Sequence, residues 1–322
     1  MFDQNIVEIG ERINKARRIL VVSHVRPDGD AIGSLLGLGL ALQKSDKIVQ
    51  MVLSEGVPPS YRHLQGSELV KKRPEGSFDL IFVLDCSDLS RTGHALDGYN
   101  QPDINIDHHI TNLKFARINL VEPSAVATAE ILVEHMLKWE LDIDKAIADA
   151  LLTGLITDTL GFRTGNMTSQ ALRTAAKLVD AGSDLSILYE KVLIDRTFES
   201  AKFWGAGLST LDRDGPIVWA TLTMDDREAC GYSGRDDADL INVLSSIVDT
   251  DVSIIFVEQP NGNVKVSWRA RPGHDVSKIA LQFGGGGHPA AAGAEIQGSL
   301  KTTQSIILEK TKNELAKSLQ TI

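Results

Sequence analysis

The chain has 322 residues, of which 43% are hydrophobic and 24% charged, values typical of a globular protein long enough to form two domains. Its net charge of -10 at pH 7 disfavours binding to long duplex nucleic acid, which depends on many lysine and arginine contacts to phosphate. Its two cysteines exclude a disulfide scaffold, so we expect a protein of the reducing cytoplasm.

The first predicted element is an amphipathic helix over residues 5–17, with Ile6, Ile9 and Ile13 at helical spacing. The segment before it has no basic region, so we predict no signal peptide, and no later apolar run is long enough to span a membrane. Short apolar runs then alternate with helical patterns. The predicted strands are residues 19–22, 47–53, 79–84 and 103–106, and the further helices are residues 31–42, 125–139, 144–155 and 168–181.

Strands that are separated by helices are typical of an α/β protein with a doubly wound, mainly parallel sheet, and we predict such a first domain over residues 1–184. Residues 185–209 lack turn signals for most of their length, which predicts a linker helix. The pattern then changes, and we predict a smaller α/β domain over residues 210–322. Its predicted strands are residues 217–223, 252–258, 264–270 and 292–296, and its predicted helices are residues 276–283 and 303–319.

Acidic residues and histidines follow several of the predicted strands, and one more carboxylate follows a buried helix. In chain order these residues are His24, Asp28, Asp30, Asp85, Asp107, His108 and Asp158. Because the carboxyl ends of parallel strands meet at one edge of a sheet, we expect these side chains to lie close together. An alternative for the first group is that Asp30 caps the helix that follows it and that His24 is an ordinary loop residue.

Carboxylate and imidazole ligands without a thiolate suit Mn²⁺, and they suit Mg²⁺ or Zn²⁺ less well. The predicted set is larger than one ion needs, so we expect two ions roughly 3.5–4 Å apart. Such a pair activates water at neutral pH and holds the oxygens of a phosphoryl group for in-line attack. The sequence therefore predicts metal-dependent hydrolysis at phosphorus.

The order of these residues resembles the motifs of the DHH phosphoesterase superfamily, and the resemblance covers nearly the whole chain. It implies that one Mn²⁺ is held by His24, Asp28 and Asp85. It implies that a second ion is held by Asp30, Asp85, His108 and Asp158, with Asp85 bridging the two. It also implies that Asp107 orients a neighbouring imidazole and that His109 lies against the scissile phosphate as a stabiliser or proton donor.

The chain departs from this pattern at one place. Many members of the superfamily carry glycine directly after the Asp-Thr of the fourth motif, where this chain has Leu160 followed by Gly161. We interpret the difference as variation within a loop.

The second domain carries four consecutive glycines before His288, and this tract resembles the DHHA1 substrate-binding domain. Glycine lets a backbone approach a ligand closely and present N–H groups to a phosphate. We expect substrate contacts from Gly285, Gly286, Gly287 and His288, and from Arg269, whose guanidinium suits bidentate phosphate binding. The alternatives are a flexible linker for the glycines and ordinary strand charge for the arginine.

Within the superfamily, the short two-domain arrangement is similar to the nanoRNase/pAp phosphatase group. That resemblance implies hydrolysis of very short oligoribonucleotides (nanoRNA) to mononucleotides and removal of a phosphate from 3′-phosphoadenosine 5′-phosphate (pAp). Two alternatives stay open: a phosphodiesterase for cyclic di-AMP or its linear product pApA, and a nucleotide-binding protein without catalysis. The expected partners are short single-stranded RNA and small nucleotides, with no membrane and no long duplex. The sequence leaves open whether the chain forms a homodimer.

Overall fold

The chain divides into two structural units after Asp195. The computed structural model describes residues 2–319, and the units are Met1–Asp195 and Arg196–Ile322. Residue 1 and residues 320–322, which the predicted domain ranges include, lie outside the described residues. Both units combine helices with a sheet, which confirms the predicted α/β class, while the exact domain boundaries stay predictions.

A five-stranded parallel sheet lies at the centre of the first unit, as the alternation of strands and helices predicts. Its strands are β1 (Arg18–Val22), β2 (Ile48–Val52), β3 (Leu80–Leu84), β4 (Ile104–Asp107) and β5 (Ile118–Val121). Its helices are α1 (Phe2–Lys15), α2 (Gly29–Lys44), α3 (Thr128–Met136), α4 (Lys145–Asp158), α5 (Ser169–Asp180) and α6 (Leu185–Tyr189). The sequence did not predict β5, because Asn119 interrupts a run of only four residues.

The path of the chain across this sheet changes direction between β1 and β3. The strand order is β2-β1-β3-β4-β5, so the chain passes from β1 to β2 on one side and then returns to place β3 on the other. Open α/β sheets bind their ligands at such a switch point, outside the carboxyl ends of the strands. The predicted site residues His24 and Asp85 follow the two strands that flank this point.

Helices α2 and α4 pack closely against each other. A side-chain carbon added at Gly33 of α2 would lie 2.4 Å from the carbonyl oxygen of Ala150 in α4, so only glycine fits there. The contact continues between Gly29 and Thr157. The start of α2 therefore lies beside the end of α4, and each of these ends carries a predicted metal ligand.

A mixed six-stranded sheet forms the second unit, in the order β10-β11-β9-β8-β7-β6. Its strands are β6 (Asp212–Asp214), β7 (Ile217–Leu222), β8 (Val252–Glu258), β9 (Asn263–Ala270), β10 (Gly286–His288) and β11 (Ala291–Gln297). Its helices are α7 (Phe198–Ser209), α8 (Met224–Cys230), α9 (Leu240–Leu244), α10 (Ser277–Gln282) and α11 (Leu300–Leu319). Strands β7 and β8 are parallel, and the other neighbours are antiparallel.

The structure has two helices where the sequence predicts a single linker helix over residues 185–209, which corrects that element. Helix α6 continues into a π-helical segment, Glu190–Ile194, and α7 begins only at Phe198. The side chain of Thr197 accepts a hydrogen bond from Ser200 N and so starts the second helix. The break was not predicted because neither glycine nor proline marks it. Among residues 2–319, no helix has the length and apolar character needed to cross a membrane.

Candidate metal centre

His24 and Asp85 meet where β1 and β3 end. His24 Nε2 lies 3.4 Å from Asp85 Oδ2, and both side chains are buried. The backbone of Asp85 has a φ of 52°, a left-handed conformation that is strained for a residue other than glycine. Its N–H donates to Ile106 O at 2.9 Å, so the neighbouring strand holds this turn. Strain of this kind at a buried carboxylate is typical of functional sites.

The imidazole of His24 is oriented as a metal ligand would be. Its Nδ1 lies 2.9 Å from Val25 O, and because a carbonyl oxygen only accepts, the proton is on Nδ1. Its Nε2 is buried and has no hydrogen-bond partner among the described residues. Asp28 Oδ2 lies 3.8 Å from this nitrogen, and His24, Asp28 and Asp85 each offer an atom within 4.8 Å of the others. An orphaned nitrogen facing two carboxylates fits a divalent cation.

Asp30 caps a different helix from the one it lies in. Asp28 is the N-cap of α2, because its side chain accepts hydrogen bonds from Asp30 N and Ala31 N. Asp30 Oδ2 instead accepts a hydrogen bond from Thr128 N at 2.6 Å, and Oδ1 accepts one from Ala129 N at 3.0 Å. These amides begin α3, whose own N-cap, Ala127, makes no side-chain hydrogen bond. The alternative that Asp30 caps the helix it precedes is therefore wrong.

A second group of ligands surrounds His108. Its Nε2 lies 3.2 Å from Asp158 Oδ2, 3.7 Å from Asp85 Oδ1 and 4.0 Å from Asp30 Oδ2. Asp30, His108 and Asp158 each offer an atom within 4.8 Å of the others. Asp85 faces both groups, because its Oδ2 lies near His24 and its Oδ1 near His108. The donor set fits two cations that share Asp85, and the role of each residue stays a proposal.

Burial and like charges perturb this cluster strongly. Burial raises the pKa of Asp30 well above its ordinary value, and the charges of Asp85 and Asp158 raise it further. Burial acts to lower the pKa of His108, but Asp158 and Asp85 outweigh it and raise that pKa well above the ordinary value. Burial acts to raise the pKa of Asp85, but the neighbouring imidazoles reverse the direction and hold it well below the ordinary value. A divalent cation would favour the ionised form of every carboxylate here.

His109 is held by the buried carboxylate of Asp107. Its Nδ1 lies 2.7 Å from Asp107 Oδ1 and 3.6 Å from Asp85 Oδ1. Asp85, His108 and His109 also offer atoms within 4.8 Å of one another. The shorter contact places a proton on Nδ1. The role of His109 toward substrate stays a proposal.

The sequence did not point to Thr128, which bonds to two of the candidate ligands. Its N–H donates to Asp30, and its Oγ1 donates to Asp85 Oδ1 at 3.1 Å. The side chain is fully buried. Thr128 begins a helix and does not follow a strand, so the argument from strand ends could not find it. A threonine at a helix start otherwise indicates only a cap.

The turn after Asp158 has a backbone shape that favours glycine, although this chain has Leu160 there. Leu160, Gly161 and Phe162 have φ values of 48°, 74° and 67°, three left-handed residues in succession. Glycine favours this conformation, so Leu160 carries strain that a glycine at the same place would avoid. Gly161 N donates to Ile156 O in the last turn of α4, Phe162 N donates to the side-chain Oγ1 of Thr159, and these two hydrogen bonds hold the turn. Since Asp158 lies 3.2 Å from His108, the departure does not remove it from the cluster.

The glycine tract of the second unit forms the edge strand β10, which pairs antiparallel with β11. A side-chain carbon at Gly287, where φ is 142°, would lie 2.4 Å from a carbonyl oxygen of β11, and one at Gly285 would lie 2.2 Å from another. Packing against β11 thus explains these two glycines without a ligand. A carbon at Gly286 would meet nothing within 4 Å, and His288 is exposed. Contact of this tract with substrate stays a prediction.

Arg269 lies near the end of β9 with a half-buried side chain. Its Nη1 donates to Trp268 O at 3.1 Å. Burial lowers the pKa of Arg269, and the carboxylates of Asp237 and Asp239 act in the opposite direction. Trp268 itself is fully buried in the core.

Two family models match the chain, the N-terminal domain of the DHH family over residues 18–155 and the DHHA1 domain over residues 228–319. The chain therefore belongs to the DHH family and also carries a DHHA1 domain, which confirms the predicted resemblance.

Named relatives align with nearly the whole chain. The bifunctional oligoribonuclease and PAP phosphatase NrnA of Thermus thermophilus is 35% identical over 309 residues, which cover 93% of this chain and 91% of the relative. The protein of the same name from Mycoplasma genitalium is 26% identical, over 91% of this chain and 92% of the relative. A crystal structure of an exopolyphosphatase-related protein from Bacteroides fragilis matches with a TM-score of 0.87 and 26% identity, over 97% of each chain.

Proposed function

We propose that this protein is a metal-dependent phosphoesterase that hydrolyses short oligoribonucleotides to mononucleotides and also dephosphorylates pAp. The observation that carries the proposal is the pair of ligand groups that share Asp85. Relatives named for both activities align with more than nine-tenths of the chain, which supports the same two substrate classes.

Two divalent cations fit the donor set, Mn²⁺ in our proposal with Mg²⁺ as the alternative. One would be held by His24, Asp28 and Asp85, and the other by Asp30, Asp85, His108 and Asp158. When bound, such ions lower the pKa of water and neutralise charge on the phosphoryl group. The buried Nε2 of His24, which has no hydrogen-bond partner within residues 2–319, favours a metal over a plain network of ion pairs.

His109 would act on the scissile phosphate, and Asp107 would orient its ring. Asp107 keeps a proton on His109 Nδ1 and so fixes the orientation of the ring. In its protonated form, a ring held in this way can stabilise charge on the phosphate or protonate the leaving oxygen.

The second unit would bind the rest of the substrate. Arg269, Gly285, Gly286, Gly287 and His288 are the residues that we propose for phosphate and nucleotide contacts. The net charge of -10 favours short single-stranded RNA and small nucleotides over long duplexes. A cytoplasmic location stays a prediction, and whether the chain forms a homodimer stays open.

A side-by-side assay with Mn²⁺ tests the proposal on pAp, pApA, cyclic di-AMP and RNA of two to about twenty-five nucleotides. We expect turnover of pAp and of the shortest RNAs. A preference for cyclic di-AMP or pApA would replace the proposal with the phosphodiesterase alternative. Binding of nucleotides without any turnover would instead indicate a protein without catalysis.

A further inference from the structure

A polar side chain lies inside the apolar strand β4. Asn105 is fully buried between Ile104 and Ile106. Its Nδ2 donates to Val83 O at 3.1 Å and to Cys86 O at 3.2 Å, at the end of the neighbouring strand β3. Burying an amide costs free energy unless its polar atoms have hydrogen-bond partners. An asparagine at this position therefore indicates that its hydrogen bonds are needed, since an apolar residue could not form them.

Asn112 joins the buried amide to the acidic cluster. Its Nδ2 lies 2.6 Å from Asp107 Oδ2, 2.7 Å from Asn105 Oδ1 and 3.2 Å from Cys86 O. Its Oδ1 accepts a hydrogen bond from Lys114 N at 2.6 Å. The carboxamide is therefore fixed at both of its polar atoms, and the direction of its N–H donors is determined.

Asp107 receives one donor on each of its oxygens. Oδ1 lies 2.7 Å from His109 Nδ1, and Oδ2 accepts the hydrogen bond from Asn112. The residue is fully buried, so bulk water cannot replace either donor. A rotation of this carboxylate would break both contacts together, and the His109 ring would lose its hydrogen bond to Asp107.

We propose that Asn112 is a positioning residue, which holds the Asp107 carboxylate and through it the His109 imidazole in place for phosphoester hydrolysis. This inference rests on the proposed function, in which His109 acts on the phosphate. Among the described residues, the side chain of Asn112 bonds to Cys86, Asn105, Asp107 and Lys114 and to no proposed metal ligand. Its loss should therefore affect turnover without affecting metal binding.

The test is Asn112→Ala, with Asn119→Ala as the matched control. The carboxamide of Asn119 also bonds locally, to the backbone of Ala116, but has no contact with Asp107. For a dinucleotide RNA, we expect kcat of the Asn112 variant to fall about 10–100-fold, the range typical of residues that hold the residues of a site in place by hydrogen bonds. We expect KM, and the Mn²⁺ affinity from titration calorimetry, to stay within about twofold of wild type. The control should keep its kcat.

A double-mutant cycle separates positioning from general damage. In a His109→Ala background, Asn112→Ala should cause no further loss, because it acts through that ring. An additive loss, an unchanged kcat in the single variant, or a fall in Mn²⁺ affinity as large as the fall in kcat would each overturn the inference. If Asn112→Ala does not fold, Asn112→Ser, which is shorter but polar, takes its place.

A spectroscopic readout keeps this inference distinct from the proposed function. The Nδ1–H proton of His109, observed in ¹⁵N-labelled protein, should exchange faster with water in Asn112→Ala than in wild type. If wild type cleaves none of the substrates, the proposed function fails. An unchanged exchange rate would overturn the role of Asn112 in either case.

Discussion

Asp30 Oδ2 accepts a hydrogen bond from the backbone N–H of Thr128 at 2.6 Å, so a proposed metal ligand also begins helix α3. Ala129 N donates to the other oxygen at 3.0 Å, and Ser34 Oγ lies 3.2 Å from it. The carboxylate is thus oriented before any cation binds. Such preorganisation reduces the cost of assembling a metal site.

Thr128→Val tests the hydroxyl that joins this arrangement to Asp85. The variant keeps the backbone donor to Asp30 and a similar volume but loses the 3.1 Å bond to Asp85 Oδ1. We expect Mn²⁺ affinity to fall about tenfold, measured by titration calorimetry. Thr128→Ser, which retains a hydroxyl, should bind as wild type does. Equal affinities for the valine and serine variants would show that this hydrogen bond has no role in metal binding.

Asp85→Asn should abolish hydrolysis, because Asp85 faces both groups of ligands. Asparagine keeps the shape of the side chain and tolerates the left-handed backbone at this position. Multiple-turnover assays on dinucleotide RNA and calorimetric counting of bound Mn²⁺ check the expectation. Asp97→Asn, an exposed carboxylate paired with His94, is the matched control. Substantial turnover in the Asp85 variant would exclude a shared ligand.

Without metal, the protein should lose stability as pH rises above about 5. The pKa of Asp30 is raised in the folded state, so folding retains a proton there that the unfolded chain releases above its ordinary pKa of 3.8. The pKa of His108 is raised as well, so its contribution is present below the ordinary pKa of 6.5 and is lost above it. Both effects have the same sign. The titration of Asp85 does not oppose these two effects in this pH range, because its ordinary pKa of 3.8 and its lowered pKa in the folded state both lie below the range.

Thermal melts in EDTA across this pH range measure the effect, and Asp30→Asn should reduce the slope. With Mn²⁺ present the slope should vanish or reverse, because metal binding requires deprotonated ligands. A melting temperature that rises with pH in EDTA would contradict the charge distribution described here.

Arg269→Ala should mainly raise KM for short RNA, as expected when a substrate contact is removed. Arg271 provides the control, because it is exposed beyond the end of β9 and donates to Ile247 O at 3.0 Å. Steady-state kinetics on the same dinucleotide distinguish the two variants. An Arg269→Ala enzyme with the KM of Arg271→Ala would remove Arg269 from the substrate site.

Residues at strand ends could be predicted from the sequence, because parallel topology alone brings such positions together. His24 and Asp85 lie together for this reason, and His108 and Asp158 come near them. Thr128 could not be predicted in the same way. Its contacts depend on where the first residue of helix α3 lies relative to the ends of the strands, and the sequence does not give that position.

The glycine tract shows a different limit of sequence reasoning. Its glycines indicate close approach, and the structure shows such an approach at Gly285 and Gly287, but the atoms they approach belong to β11. A glycine run by itself therefore cannot distinguish a neighbouring strand from a bound phosphate. Similarly, the helix start at Thr197 leaves no mark that distinguishes it from a continuing helix.

The left-handed turn at Leu160 has a consequence for how such chains are detected. The hydrogen bonds of the turn impose its shape, and the preceding carboxylate keeps its distance of 3.2 Å to His108 although leucine occupies the strained position. A search pattern that demands glycine at this place would overlook this chain and others like it. A search pattern that specifies only the carboxylates and imidazoles would find such chains.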